Sequence, residues 1–336
     1  MPLTSVQIRP GVNKSDTPSG AEGQWIDSDF VRFRYGQPEK IGGFTAIGQK
    51  TISGPARAQH TWNDLEGNKY AALGTSKALY IYFEDKFYDI TPLATAITGA
   101  TFTSTSSSST VTVNKTTHGL EVGEYITFSS VTVPGSSSFV DTDFTSFTFE
   151  VLTVATNSFT ITMQTTETGT PMSATGSASI NPYEEIGPTI QTYGYGWGTG
   201  TWSRGTWGSA TTSSSVILDP GSWSLDNFGQ QLIATVKDGK TFVWNPGLSN
   251  PLEQRAVVMS GAPTATRLTI TSDRDRHVVH FGTETTIGNT STQDPMFIRF
   301  SDQEDFSTYA PTSTNTAGTF RLDTGNKIVA AVSGKD

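Results

Sequence analysis

The chain has 336 residues and no cysteine, which leaves room for two or three modest domains with proper cores and excludes disulfide-stapled scaffolds and thiolate metal sites. Its net charge of −9 argues against a surface built to grip nucleic acid, since phosphate binding needs a basic face. Only 16 % of residues are charged and 33 are glycine, a composition poor in helix-surface residues and rich in strand and turn formers, so the fold class is all-β.

Residues 1–24 are polar, with Pro10-Gly11 and Pro18, and read as an N-terminal arm with neither the basic nor the apolar segment of a signal peptide. That opening predicts a product made in a cytoplasm. The stretch Trp25–Phe44 alternates, with Arg32 and Arg34 on one side and Val31, Phe33 and Tyr35 on the other. Gln37-Pro38 is the expected turn and 40–47 the expected returning strand, giving a hairpin that would help close a ring of blades.

From Ala56 a pattern sets in that returns along the chain: four short extended runs separated by polar turns. The first copy, residues 56–92, reads ARAQHTW, KYAALGT, ALYIYF and KFYDITP. The second, about 223–263, reads SWSLDNFG, QQLIATVKD, KTFVWN and AVVMSGAP. The third, 267–322, reads RLTITSD, HVVHFGT, MFIRFSD and TFRLD, and a fourth opens at KIVAAVSGKD. Tandem four-strand units are the signature of β-propeller blades. Three units and the start of a fourth fall short of a closed ring, so the propeller is expected to be incomplete, truncated in mid-blade. The expected organisation is therefore an arm at 1–24, the closing hairpin and first blade at 25–92, and further blades at 216–336.

Two segments interrupt the blades. Residues 93–181 hold almost no Lys or Arg and are dense in Ser and Thr, yet Val111/Val113, Tyr125/Thr127, Phe147/Phe149/Val151 and Phe159/Ile161/Met163 alternate. Such regularity marks a folded module, here an inserted small β-barrel or sandwich-like domain. Residues 182–215 form a glycine- and aromatic-rich loop in which Tyr193, Tyr195, Trp197, Trp202, Arg204 and Trp207 make the best candidate interaction site. Tyr and Trp on glycine-rich loops suit protein interfaces and sugar-binding surfaces, and self-packing of the rings is the competing structural reading.

Chemistry is thinly represented. The histidines are His60, His118, His277 and His280, and the H-V-V-H pair at 277 and 280 would face opposite sides of a strand, which rules out a shared metal. The acidic groups Asp27/Asp29, Asp141/Asp143, Asp273/Asp275 and Asp302/Glu304/Asp305 lack the spacing of calcium loops and read as turn carboxylates. The G-Y-G-W-G-T-G run has neither the lysine nor the following helix of a phosphate loop. The sequence thus offers no catalytic group, cofactor or metal site, and no apolar run long enough to span a bilayer.

The strings WIDSDFVRFRYGQPEKIGGF and TYGYGWGTGTWSRGTWG resemble tail-nozzle and tail-hub proteins of short-tailed bacteriophages, related to packaged-DNA stabilisation proteins. MFIRFSDQEDFSTYAPTSTNTAGTFRL resembles a propeller blade of the same proteins, and HGLEVGEYITFSSV is similar to small β domains inserted in phage tail proteins. The resemblance implies a structural virion protein, a homo-oligomer forming a hexameric ring below the portal-adaptor protein. That ring would continue the DNA channel, retain the packaged genome and let it out at infection, with tail fibres or tip proteins as neighbours. DNA would pass without sequence-specific binding. Alternatives of a different class are a carbohydrate- or receptor-binding propeller of the virion and a propeller hydrolase.

Overall fold

The computed structural model describes residues 9–43, 45–46, 52–189 and 219–334. The chain falls into two compact units, residues 1–49 and 50–336. In the first, Arg9–Val12 pairs in parallel with Gln24–Trp25, so part of the expected arm is a strand. The hairpin joins Val31–Arg34 to Gln37–Lys40, with Val31 and Phe33 half-buried and the arginines exposed, as the alternation requires. Its turn lies two residues earlier than expected: Tyr35 and Gly36 take positive φ of 50° and 78°, which places Gln37 and Pro38 inside the returning strand.

The second unit is all-β and holds three four-stranded antiparallel sheets of blade type, each a simple meander. The first blade runs Ala56–Asn63, Lys69–Thr75, Leu79–Phe83 and Lys86–Asp89. The second runs Trp223–Phe228, Gln231–Val236, Thr241–Trp244 and Val257–Val258. The third runs Leu268–Thr271, Val278–Phe281, Phe297–Phe300 and Gly318–Arg321. All twelve strands fall on runs expected from the sequence, whereas the run expected to open a fourth unit forms no strand over residues 327–334.

The blades are joined along their first strands. The His60 ring lies 2.8 Å from Asn227 Oδ1, Ser224 Oγ donates to the Thr269 carbonyl at 2.8 Å, and the Thr271 amide donates to Asp226 Oδ2 at 2.7 Å. Between the faces lie two apolar layers. Trp62, Tyr70, Leu79, Ile81, Leu232, Phe242 and Trp244 fill the space between the first and second blades. Phe228, Ile233, Met259, Val278 and Tyr309 fill the next. Each fully buried large side chain of this kind stabilises by about 1.5–3 kcal/mol relative to exposure. Gly74 is required by one approach: a Cβ there would stand 2.6 Å from the Trp223 ring, whose Nε1 donates to the Thr75 carbonyl at 3.0 Å.

Between the first and second blades the chain builds a seven-stranded antiparallel sheet, in spatial order Phe149–Glu150, Tyr125–Thr132, Thr175–Pro182, Ile97–Ser104, Thr110–Asn114, Ser158–Thr162 and Thr153–Ala155. It curls around its own core of Phe102, Val111, Val113, Ile126, Phe144, Phe159 and Ile161, capped by the short helix Asp141–Thr145. The entry and exit strands leave the first blade together. Leu93 bridges Tyr183, and the Ala94 amide donates to the Pro182 carbonyl at 2.8 Å. Among the described residues, no helix is long and apolar enough to cross a membrane.

Candidate functional site

Tyr193, Tyr195, Trp197, Trp202, Arg204 and Trp207, the interaction loop expected from the sequence, lie outside the described residues. The other groups singled out in the sequence are placed, and most of them are engaged locally. His118 Nδ1 accepts the Leu120 amide while Nε2 donates to the Ala155 carbonyl, so the ring ties a turn. The His277 ring binds the Ser301 carbonyl at the strand start, and His280 points into the apolar layer between blades. Asp141 accepts the Val133 amide, Asp143 the Val140 amide, Asp302 the Gln303 and Thr316 amides, and Asp305 the Ser307 amide. These carboxylates shape turns, and among the described residues no group of three His, Cys, Asp or Glu side chains is arranged to hold a metal ion.

The sequence reading missed three polar constructions. The first is a clamp where the inserted sheet meets the blades. The Tyr183 hydroxyl, on the strand leaving the insert, donates to Asp89 Oδ2 on the last strand of the first blade. Arg255, from the second blade, donates to Asp89 Oδ2 at 3.3 Å, to the Tyr183 oxygen at 3.1 Å and to the Thr91 carbonyl at 2.8 Å. Its guanidinium also lies 4.7 Å from the centre of the Tyr183 ring. Burial, and then the charge of Asp89, push the Tyr183 hydroxyl far above its ordinary range, so it stays a donor. Two flanking ion pairs, Lys77 with Glu150 at 3.1 Å and Lys240 with Glu184 at 2.7 Å, connect the insert and its exit to the same two blades. No pattern could reveal this clamp, because Asp89 and Arg255 are 166 residues apart.

The second is a buried carboxylate. Glu167 is fully enclosed and accepts from Ser104 Oγ, Ser137 Oγ, Ser138 N, Ser138 Oγ and Gly169 N. Burial alone would raise its pKa, but the hydrogen bonds outweigh that and hold it down at about 2. It ties the turns at Ser137–Ser138 and Glu167–Gly169 to each other and to Ser104 of the sheet.

The third lies at one end of the second and third blades, where Lys237, Arg267 and Lys327 converge on Asp219 at 3.0, 3.1 and 3.7 Å. They border a cavity of about 510 Å³ whose other walls include Trp223, Ser224, Leu268 and Val329. The hydrogen bond and charge of Lys237, aided by Lys327 and Arg267, hold the Asp219 carboxyl below the usual carboxylate range.

The architecture defines a class: an all-β protein of propeller blades carrying an inserted β module. No protein-family model matches the chain, and no curated protein does. Among solved structures the chain is similar to "Phage phi92 endosialidase", at 14 % identity and a TM-score of 0.24 over 85 % of this chain and 40 % of that one. The chain thus matches well under half of that protein's length. A superposition so loose carries neither fold nor chemistry across, and the class stated above rests on the sheets alone.

Proposed function

We propose that the chain is a non-enzymatic structural component of a phage tail. In this reading it forms a hexameric ring below the portal and its adaptor, continues the DNA channel, retains the packaged genome and releases it at infection. One observation carries the reading. Met296–Leu322, which resembles a tail-protein blade, supplies the outer half of the third blade, and 118–131, which resembles a small domain of phage tail proteins, contributes most of Tyr125–Thr132, the second strand of the inserted sheet.

The physics of the chain supports a mechanical part. The joint between blades and insert is crossed by the Asp89–Tyr183–Arg255 ties and by two ion pairs, which stiffens the assembly. A net charge of −9 suits a wall along which phosphates pass without adhering. Quantitative mass spectrometry of gradient-purified virus particles tests the proposal. The chain should co-purify with particles at a copy number matching a six-membered ring. Recovery only in the particle-free fraction would overturn it.

A further inference from the structure

We infer that the cavity at Asp219 is a binding site for a small organic anion, a carboxylate or phosphate carried on a compact hydroxylated frame such as a sugar acid or sugar phosphate. The charge balance is the first ground. Lys237, Arg267 and Lys327 bring three positive charges to a cavity whose lining holds one carboxylate, Asp219. Asp238 takes the other Arg267 nitrogen at 3.4 Å and accepts Gln293 at 3.1 Å, which among the described residues still leaves the cluster one positive charge in excess. In a chain of net charge −9, a local positive excess is a departure that an anion would neutralise.

The donors are in place for it. Arg267 is held by two carboxylates and is only 14 % exposed, so its fork is fixed. Lys327 is 48 % exposed and meets Asp219 at 3.7 Å, beyond hydrogen-bonding distance, and among the described residues no hydrogen bond takes its ammonium, which leaves its donors for a ligand. Lys237 spends one donor on Asp219, at 3.0 Å.

The walls decide the rest of the ligand. Leu268, Val329, Ala330 and Ala331 give an apolar side, while Ser222 gives a hydroxyl, that of Ser224 being spent on the Thr269 backbone. A ligand that carries an anion at one end and a ring of mixed C–H and O–H surface at the other satisfies both. The volume, about 510 Å³, is of the size that takes such molecules. The inference stands apart from the tail reading, because it concerns only this cavity.

Isothermal titration of the full chain with glucuronate, with glucose 6-phosphate and with uncharged glucose tests it. At least one of the two anions should bind and glucose should not, and which anion binds identifies the head group. Lys327→Met and Lys237→Met should each weaken binding about tenfold or more, as loss of one charge-assisted partner does. Lys240→Met, a lysine outside the cavity paired with Glu184, should leave binding unchanged. Asp219→Asn should tighten binding, because it releases three cations from their resident competitor. Circular dichroism of each variant separates loss of binding from loss of fold. No heat with either anion up to about 10 mM, an affinity at the weak limit of specific sites, would overturn the inference. So would binding that is indifferent to the Lys327 and Lys237 substitutions in folded protein.

Discussion

The His280 ring stands 3.0 Å from the Tyr309 hydroxyl, midway along a buried file of hydrogen bonds that leaves the second blade and returns to it. Thr241 and Thr235 meet at 2.9 Å, Thr235 donates to Thr269 at 2.8 Å, and Thr269 meets His280 Nδ1 at 3.0 Å. Tyr309 in turn donates to the Met259 sulfur at 3.3 Å. The two fixed ends set the protons between them. Tyr309 spends its proton on sulfur and must accept from Nε2–H, while Thr269, already accepting from Thr235, gives its proton to Nδ1. The imidazole is therefore neutral and carries its hydrogen on Nε2.

This file predicts an acid-labile junction. Burial, and then the nearby Arg299 guanidinium, hold the His280 pKa down at about 3, whereas the unfolded chain titrates near the ordinary 6.5. The folded value is depressed, so stability from the neutral ring is complete above about pH 6.5 and drains away as pH falls toward 3, at about 1.4 kcal/mol per unit. Denaturant melts at pH 6.5 and 4.5 should show wild type losing about 2–3 kcal/mol more than His280→Gln. Parallel losses in both proteins would contradict the neutral assignment.

Tyr309→Phe keeps the ring but strands the buried Nε2–H. We expect a loss of about 1–3 kcal/mol in chemical denaturation, the cost of one unsatisfied buried donor. A neutral substitution would mean that the file adds nothing to the joint between blades.

At the other joint, Arg255→Met should loosen the insert from the blades. Asp89 and Arg255 are about a quarter exposed, so the expected loss is discounted to about 1–3 kcal/mol from the figure for fully buried pairs. Hydrogen exchange should rise first at Ala94 and Glu184, whose amides pair across the neck of the insert. Unchanged protection there would show that Asp89 and Tyr183 hold the neck without the arginine.

Removing residues 96–180 should leave the blades folded, because Leu93 and Tyr183 already sit paired where the cut would be rejoined. Retained β signal in circular dichroism and a cooperative melt are expected. An insoluble or non-cooperative product would show that blades and insert fold only together.

Gly74→Ala pushes a methyl against Cβ, Cγ and Cδ1 of Trp223, the part of that side chain nearest its own backbone, and a loss of about 1–3 kcal/mol is expected. A thermal melt shift of a few degrees checks it.

The blade strands were legible where one face is buried, which writes a period of two into KYAALGT and LTIT, while QLIATV, buried at five successive positions, reads as a short apolar run between turn signals. The inserted sheet was legible for the same reason at Val111/Val113 and Phe159/Ile161, all fully enclosed. Local backbone geometry was less so. The hairpin turn moved to Tyr35-Gly36 because Tyr35, 92 % exposed, adopts a positive φ that side-chain patterning does not report. Arg9–Val12 is exposed at every position and carries no periodicity to find. The polar constructions were invisible for a third reason. Asp89, Tyr183 and Arg255, like Asp219, Arg267 and Lys327, converge only after the blades are stacked, and each looks like an ordinary surface charge or ring in the chain.

Immunogold labelling of intact virus particles with antibody raised against residues 1–336 tests the tail assignment most directly. Label confined to a single vertex, at the tail, is the expected result. Particles without label, beside free protein in the lysate, would contradict it.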